Sequence, residues 1–153
     1  MIRIHDIYMA QALIEAETAF KEDEVPVGAV IVKEGRVLAR AHNQVECLKD
    51  PTAHAEMIAL TSATHYLGKK WLNDASIYVT VEPCSMCAGA LVLSRIRYIY
   101  FGVKDPKTGA CGSVFNIANS RKLNHRIEVH GGILKDGSAL LLRDFFRKKR
   151  IKG

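Results

Sequence analysis

Two short stretches of this 153-residue chain combine residue types able to hold a metal ion and move a proton: His54-Ala55-Glu56 and Pro83-Cys84-Ser85-Met86-Cys87. Cys84 and Cys87 stand one helical turn apart, so both thiolates can point at one atom. His54 and the cysteine pair each fall near an expected helix start, where partial positive charge favours thiolate. Two thiolates and a neutral imidazole balance the charge of a zinc ion. Three protein ligands leave the fourth tetrahedral position for water, the arrangement of a catalytic zinc rather than a structural one. Glu56 is two residues from His54, so on a helix the two side chains diverge instead of sharing one metal. A carboxylate beside the metal is placed to take a proton from water and deliver it to substrate. The combination suits hydrolytic removal of an amine from an aromatic ring.

Each piece taken alone has a plainer reading. A single C-x-x-C is often redox-active or half of a four-cysteine zinc site. Here no second C-x-x-C exists, and Pro83 precedes the pair instead of lying within it. Glu56 alone reads as a first-turn helix carboxylate, and His54 alone as a surface or core histidine. Their order and joint placement favour a catalytic centre. Cys47 and Cys111 read as small apolar residues, with either free in principle to complete a closed site. His42 and His65 read as ordinary histidines.

The elements that must position these groups follow from periodicity and turn signals. Residues 4–21 read as an amphipathic helix with Ile4, Ile7, Tyr8, Leu13, Ala16 and Phe20 near a 3.6 period, ending at Glu24-Val25-Pro26. Val27–Val32 and Val37–Ala41, separated by Lys33-Glu34-Gly35-Arg36, form an expected hairpin. Asp50-Pro51 carries a helix-start signal, Asp at the cap and Pro at the first helical position, for a helix to about Tyr66 that Gly68 closes. Ile77–Val81 is strand-like, Ser85–Leu93 helical, Tyr98–Phe101 a short strand ending at Gly102, and 104–113 a loop. Ile127–Val129 reads as a strand, and Ser138 onward as a helix whose Leu140, Leu141, Phe145 and Phe146 pack inward. A hairpin followed by alternating helices and strands implies an α/β fold, a mixed sheet covered by helices.

Length and composition fit one soluble domain spanning residues 1–153, with 48% hydrophobic and 25% charged residues. No apolar run is long enough to span a membrane. The first residues lack the basic-then-apolar pattern of a secretory signal, so thiol ligands in a reducing cytoplasm are expected. The net charge of +6 is unevenly spread. Residues 1–94 carry 8 Lys/Arg against 12 Asp/Glu, and residues 95–153 carry 14 against 4. The basic back third, including Arg143, Arg147, Lys148, Lys149, Arg150 and Lys152, points to an anionic partner.

H-x-E followed by P-C-x-x-C resembles the signature of the zinc-dependent nucleobase deaminases. Over nearly the whole chain the sequence is similar to bacterial tRNA adenosine deaminases of the TadA type. The matching stretches include Val25-Pro26-Val27-Gly28-Ala29-Val30, His42-Asn43, Asp50–Met57, Glu82–Ala90, Phe101-Gly102, Asp105–Ala110, Asn124-His125 and Phe145-Phe146-Arg147. The zinc motif is shared across the superfamily and fixes the reaction; the Lys107-Thr108-Gly109-Ala110 loop and the Phe-Phe-Arg helix with its basic tail tilt the substrate towards tRNA.

The resemblance implies a three-layer α/β/α sandwich with a five-stranded mixed sheet, a homodimer, and one zinc per chain held by His54, Cys84 and Cys87. It implies that Glu56 is the proton shuttle, that Asn43 hydrogen-bonds the flipped base, and that Asp105 contacts the target nucleotide's backbone or sugar. Phe145, Arg147, Lys148 and Arg150 are the expected contacts to a tRNA anticodon stem-loop, whose wobble adenosine would become inosine. By residue type alone, Asn43 reads equally as a turn former and Asp105 as a turn initiator before Pro106. One departure is visible: related chains often have an acidic residue and Cys before the last helix, where this one has Asp136-Gly137-Ser138, a local turn. Met86, Ala88, Ala90 and Leu91 fit either a core or a subunit interface. The alternatives are a deaminase of free guanine, cytosine or a nucleoside, which needs no basic surface, and a zinc-stabilised or redox binding protein, for which Glu56 would be idle.

Overall fold

The computed structural model describes residues 3–152; Met1, Ile2, Gly153 and the side chain of Lys152 lie outside the described residues. The elements run α1 (Ile4–Lys21), β1 (Gly28–Lys33), β2 (Arg36–His42), α2 (Val45–Leu48), α3 (Ala55–Leu67), β3 (Ala75–Val81), α4 (Ser85–Leu93), β4 (Tyr98–Val103), β5 (Glu128–His130) and α5 (Lys135–Lys152). The five strands form one sheet in the order β2-β1-β3-β4-β5. β1 is antiparallel to β2 and β3, whereas β3, β4 and β5 run parallel.

Alternation along the strands sends side chains to two helical layers. Ala29, Ile31, Ile77, Val79 and Ile99 pack with Ala55, Ala59 and Ala63 of α3 and Ala88 and Leu91 of α4. The intervening Val30, Val32, Tyr78 and Tyr100 pack with Met9 and Ala12 of α1. The mixed sheet covered by helices expected from the residues forms, as the five-stranded three-layer α/β/α sandwich that the resemblance implies.

Several details differ from the sequence expectation. The buried face of α1 is Met9, Ala12, Ala16 and Ala19, while Ile4 and Ile7 are 54% and 44% exposed. Small residues win because the helix lies almost against β1: a Cβ on Gly28 would sit 2.0 Å from the Ala12 carbonyl oxygen. α3 starts at Ala55, after the expected Asp50-Pro51 start. Asp50 instead closes a turn, accepting from the Thr52 amide and hydroxyl at 2.8 and 2.7 Å. Gly68 is its C-cap as expected.

β4 continues past Gly102 because Val103 still pairs with Val81. α5 begins at Lys135, so Asp136-Gly137-Ser138 is helix and not a turn. On α5, Ser138 and Phe145 are buried and Leu141 and Leu142 half-buried, but Leu140 and Phe146 are exposed. The residues flagged as core or interface on α4 divide: Ala88 and Leu91 are buried, Met86 and Ala90 half-buried.

Candidate metal centre and active site

The ends of β2, β3 and β4 open onto the N-termini of α3 and α4. His54 is the N-cap of α3 and Cys84 the N-cap of α4, both in extended backbone and neither making a side-chain capping bond. Caps normally place a Ser, Thr, Asp or Asn oxygen on the free helix amides. Here the capping positions carry ligand atoms instead. Asn43 takes over the cap of α3 from the end of β2: its Oδ1 accepts from the Ala55 amide at 2.8 Å.

The His54 Nδ1 lies 3.6 Å from both Cys84 Sγ and Cys87 Sγ. Ligand atoms of the three residues all lie within 4.8 Å of one another, and among the described residues no other cluster of this kind forms. A tetrahedral zinc with bonds of about 2.1 Å to nitrogen and 2.3 Å to sulfur requires an N···S separation of about 3.6 Å. The residues fit the ion. Cys47 is exposed and, like the half-buried Cys111, is not part of the cluster. Burial pushes the Cys111 thiol up to about 12.

Electrostatics favour anionic sulfur at the outer ligand. A hydrogen bond from the Cys87 thiol, joined by one from His54, lowers the Cys84 thiol to about 4. The reciprocal effect, with burial, pushes Cys87 up, and the Cys84 sulfur raises His54. Such a pair shares protons that a divalent cation would displace. Glu56, on the first turn of α3, is buried, and burial raises its carboxyl to about 7. Divergence from His54 keeps Glu56 off the ligand cluster while both line one cleft. A carboxyl poised near neutrality is able both to accept and to return a proton.

That cleft has a volume of about 1270 Å³ and is lined also by Asn43, Cys84, Asp105 and Phe145. It is far larger than one nucleobase needs.

Residues 4–150 match the family model for MafB19-like deaminases. A tRNA-specific adenosine deaminase of Aquifex aeolicus is 50% identical over 145 residues, covering 95% of each chain. One of Bacillus subtilis strain 168 is 44% identical over 147 residues, covering 96% of this chain and 91% of its own. A solved structure from studies of A-to-I editing by tRNA:A34 deaminases superposes with a TM-score of 0.86 at 43% identity, covering 89% of this chain and 99% of its own. This chain belongs to the tRNA-specific adenosine deaminase family.

The structure sorts the remaining site residues expected within this family. Asn43 lines the cleft but is already engaged, its Nδ2 donating to the Val25 carbonyl at 3.1 Å besides capping α3. Asp105 organises its own loop, accepting from the Lys107 and Thr108 amides and the Thr108 hydroxyl. Burial raises its carboxyl, but those donors outweigh burial and hold it below the usual range.

On α5 the cleft-facing side chains are Leu142, Phe145, Phe146 and Lys149, at helical spacing. Arg150 borders a smaller adjoining hollow with Lys107. Lys148 lies over the Phe20 ring of α1, and Arg147 is exposed away from the cleft wall.

Two acids escaped sequence reading. Glu24, 1% exposed, accepts from the Glu46 and Cys47 amides at 2.9 and 2.8 Å and so caps α2, an element too short to leave a periodic signal. Glu82, just before the C-x-x-C, holds the loop that follows β4. In sequence both resemble ordinary acids at the end of an element, Glu24 two residues before Pro26 and Glu82 next to Pro83; their burial is what marks them.

Proposed function

We propose that this chain is a zinc-dependent enzyme that hydrolytically deaminates adenosine to inosine at the wobble position of a tRNA anticodon, acting as a single deaminase domain. One observation carries the reading: His54 and Cys84 of the three-residue cluster, with the buried Glu56, line a cleft that continues to Lys104, Lys107 and Lys149, while Cys87 completes the cluster from behind that wall. His54, Cys84 and Cys87 would hold the ion, whose Lewis acidity activates water near neutral pH. Glu56 takes one proton of the attacking water and places it on the base's ring nitrogen, then carries the remaining proton of the added hydroxyl to the amine as the carbon–nitrogen bond breaks, so that adenosine and water become inosine and ammonia. The target base must leave its stack to reach Glu56, and the lysines at the rim give the flanking phosphates a place to rest.

Asn43 keeps one amide N–H for the base, and Asp105 meets the nucleotide from the loop. Phe145 offers an apolar wall, and Arg147, Lys148 and Arg150 attract the stem electrostatically. Family likeness supports a homodimer, for which the exposed Leu93 beside the half-buried Ala90 and Met86 is a candidate contact. No helix among the described residues is long and apolar enough to cross a membrane; thiol ligands suit the reducing cytoplasm.

Metal analysis paired with an inosine assay on an adenosine-bearing anticodon stem-loop, for wild type and Glu56→Gln, tests the reading. The expected result is one zinc per chain in both proteins and inosine from wild type alone. Faster ammonia release from free guanine, cytosine or adenosine than from the stem-loop would overturn the RNA assignment. Undiminished activity of Glu56→Gln would remove the proton shuttle.

A further inference from the structure

Glu82 is a buried acid to which the chemistry above gives no task. Its side chain is 3% exposed, yet none of the ion pairs among the described residues includes it. Its charge is met by hydrogen-bond donors from a single loop. Oε1 accepts from the Asp105 amide at 3.1 Å and from the Ser113 hydroxyl. Oε2 accepts from the amides of Cys111 and Ser113 at 3.0 and 3.1 Å. A carboxylate taken out of water is stable only with such full satisfaction.

The same short stretch of backbone grips the loop again. Pro83 accepts from the Ala110 amide at 2.8 Å, and Cys84 forms a bridge with Gly109. Gly109 has no room for a side chain: a Cβ there would lie 2.5 Å from the Glu82 Cδ and 2.6 Å from the Asp105 carbonyl oxygen. The held loop carries Asp105, Lys107 and Thr108 into the wall of the cleft shared with His54 and Glu56.

We propose that Glu82 is a positioning residue that locks the 105–113 loop to the chain segment bearing Cys84, so that the wall meeting the nucleotides around the target stays in register with the metal ligands. The proposal rests on the RNA reading above for its substrate. Its role is selective: it favours an adenosine carried in a strand, whose flanking phosphates reach Lys107 and Thr108, over a free nucleoside, which meets the loop at most through Asp105.

Glu82→Gln tests this, because its NH2 group faces amide donors where an acceptor is needed. Amide exchange at Asp105, Cys111 and Ser113 is expected to quicken about tenfold, the loss of one or two hydrogen bonds, with Ser76–Val81 unaffected. The KM for the stem-loop should rise about tenfold while kcat stays within about threefold, at one zinc per chain. Gly109→Ala should shift KM the same way, and Ser113→Ala, which removes only the hydroxyl, should do so more weakly and serves if Glu82→Gln fails to fold.

Unchanged exchange in the loop would overturn the proposal. So would equal loss of turnover on stem-loop and free adenosine accompanied by loss of zinc, which would make Glu82 part of the metal scaffold. If wild type itself leaves the stem-loop untouched, the RNA reading fails, and the exchange measurement still decides whether Glu82 locks the loop.

Discussion

The two ends of the cleft are built on opposite terms. At the metal end, His54, Glu56, Cys84 and Cys87 sit at helix starts, half or fully buried, with their backbones pinned by β3 and by the Asn43 cap. At the α5 end, Phe145 is the buried anchor, and Phe146, Arg147, Lys148, Lys149 and Arg150 are exposed. Chemistry at a metal needs a few atoms within tenths of an ångström, which only packed elements provide. Attraction of a polyanion needs charge over an area, and exposed side chains on one helix provide it without fixed geometry. The lesson is that substitutions at the first end should act as switches and those at the second as gradual adjustments.

The largest break in that contrast comes from Cys87→Ser, which should abolish zinc retention and, with it, measurable inosine formation; metal analysis after dialysis reads the first directly. Next, Glu56→Gln should keep zinc and fold but lower kcat by about a thousandfold, the scale of a lost proton shuttle. A fall of only a few-fold would erase the difference between the two ends.

Asn43→Ala leaves the Ala55 amide without its cap and should cost about 2 kcal/mol, seen as a Tm lower by about 4–8 °C. The smallest effect belongs to the far end. Lys148/Lys149/Arg150→Ala should lower kcat/KM on the stem-loop about tenfold and make its dependence on log salt shallower by about 1–2, with kcat unchanged. An unchanged salt slope would take α5 out of RNA capture.

Much of the metal end was legible beforehand because its signal is local. Two cysteines one turn apart and a histidine two residues from a glutamate carry their geometry in their spacing once a helix start is granted. The start itself was misplaced: Asp50-Pro51 has the right residue types, but Asp50 spends its carboxylate on Thr52, and His54 becomes the cap. The inward face of α1 is only partly the expected one: Ala16 is buried and Tyr8, Leu13 and Phe20 half-buried, but Ile4 and Ile7 are exposed. Periodicity selects large apolar residues, whereas proximity to Gly28 of β1 admits only alanine at positions 12 and 16. On α5 the same preference counts Leu140 and Phe146 as core, although Leu140 is exposed and Phe146, also exposed, lines the cleft.

The alternating α/β plan and the spacing of the ligands follow from the sequence alone, because each depends on neighbours within one or two turns, and the split between an acidic front and a basic back follows from composition, which needs no contacts at all. Only the tertiary structure decided that His54 stands 3.6 Å from both sulfurs, that Asn43 caps α3, and that Lys149 rather than Lys148 faces the cleft. It also decided that Glu24 and Glu82 are buried organisers rather than surface acids. These contacts join residues far apart in the chain, and the burial that gives a carboxylate its partners appears only once the sheet and helices have closed around it.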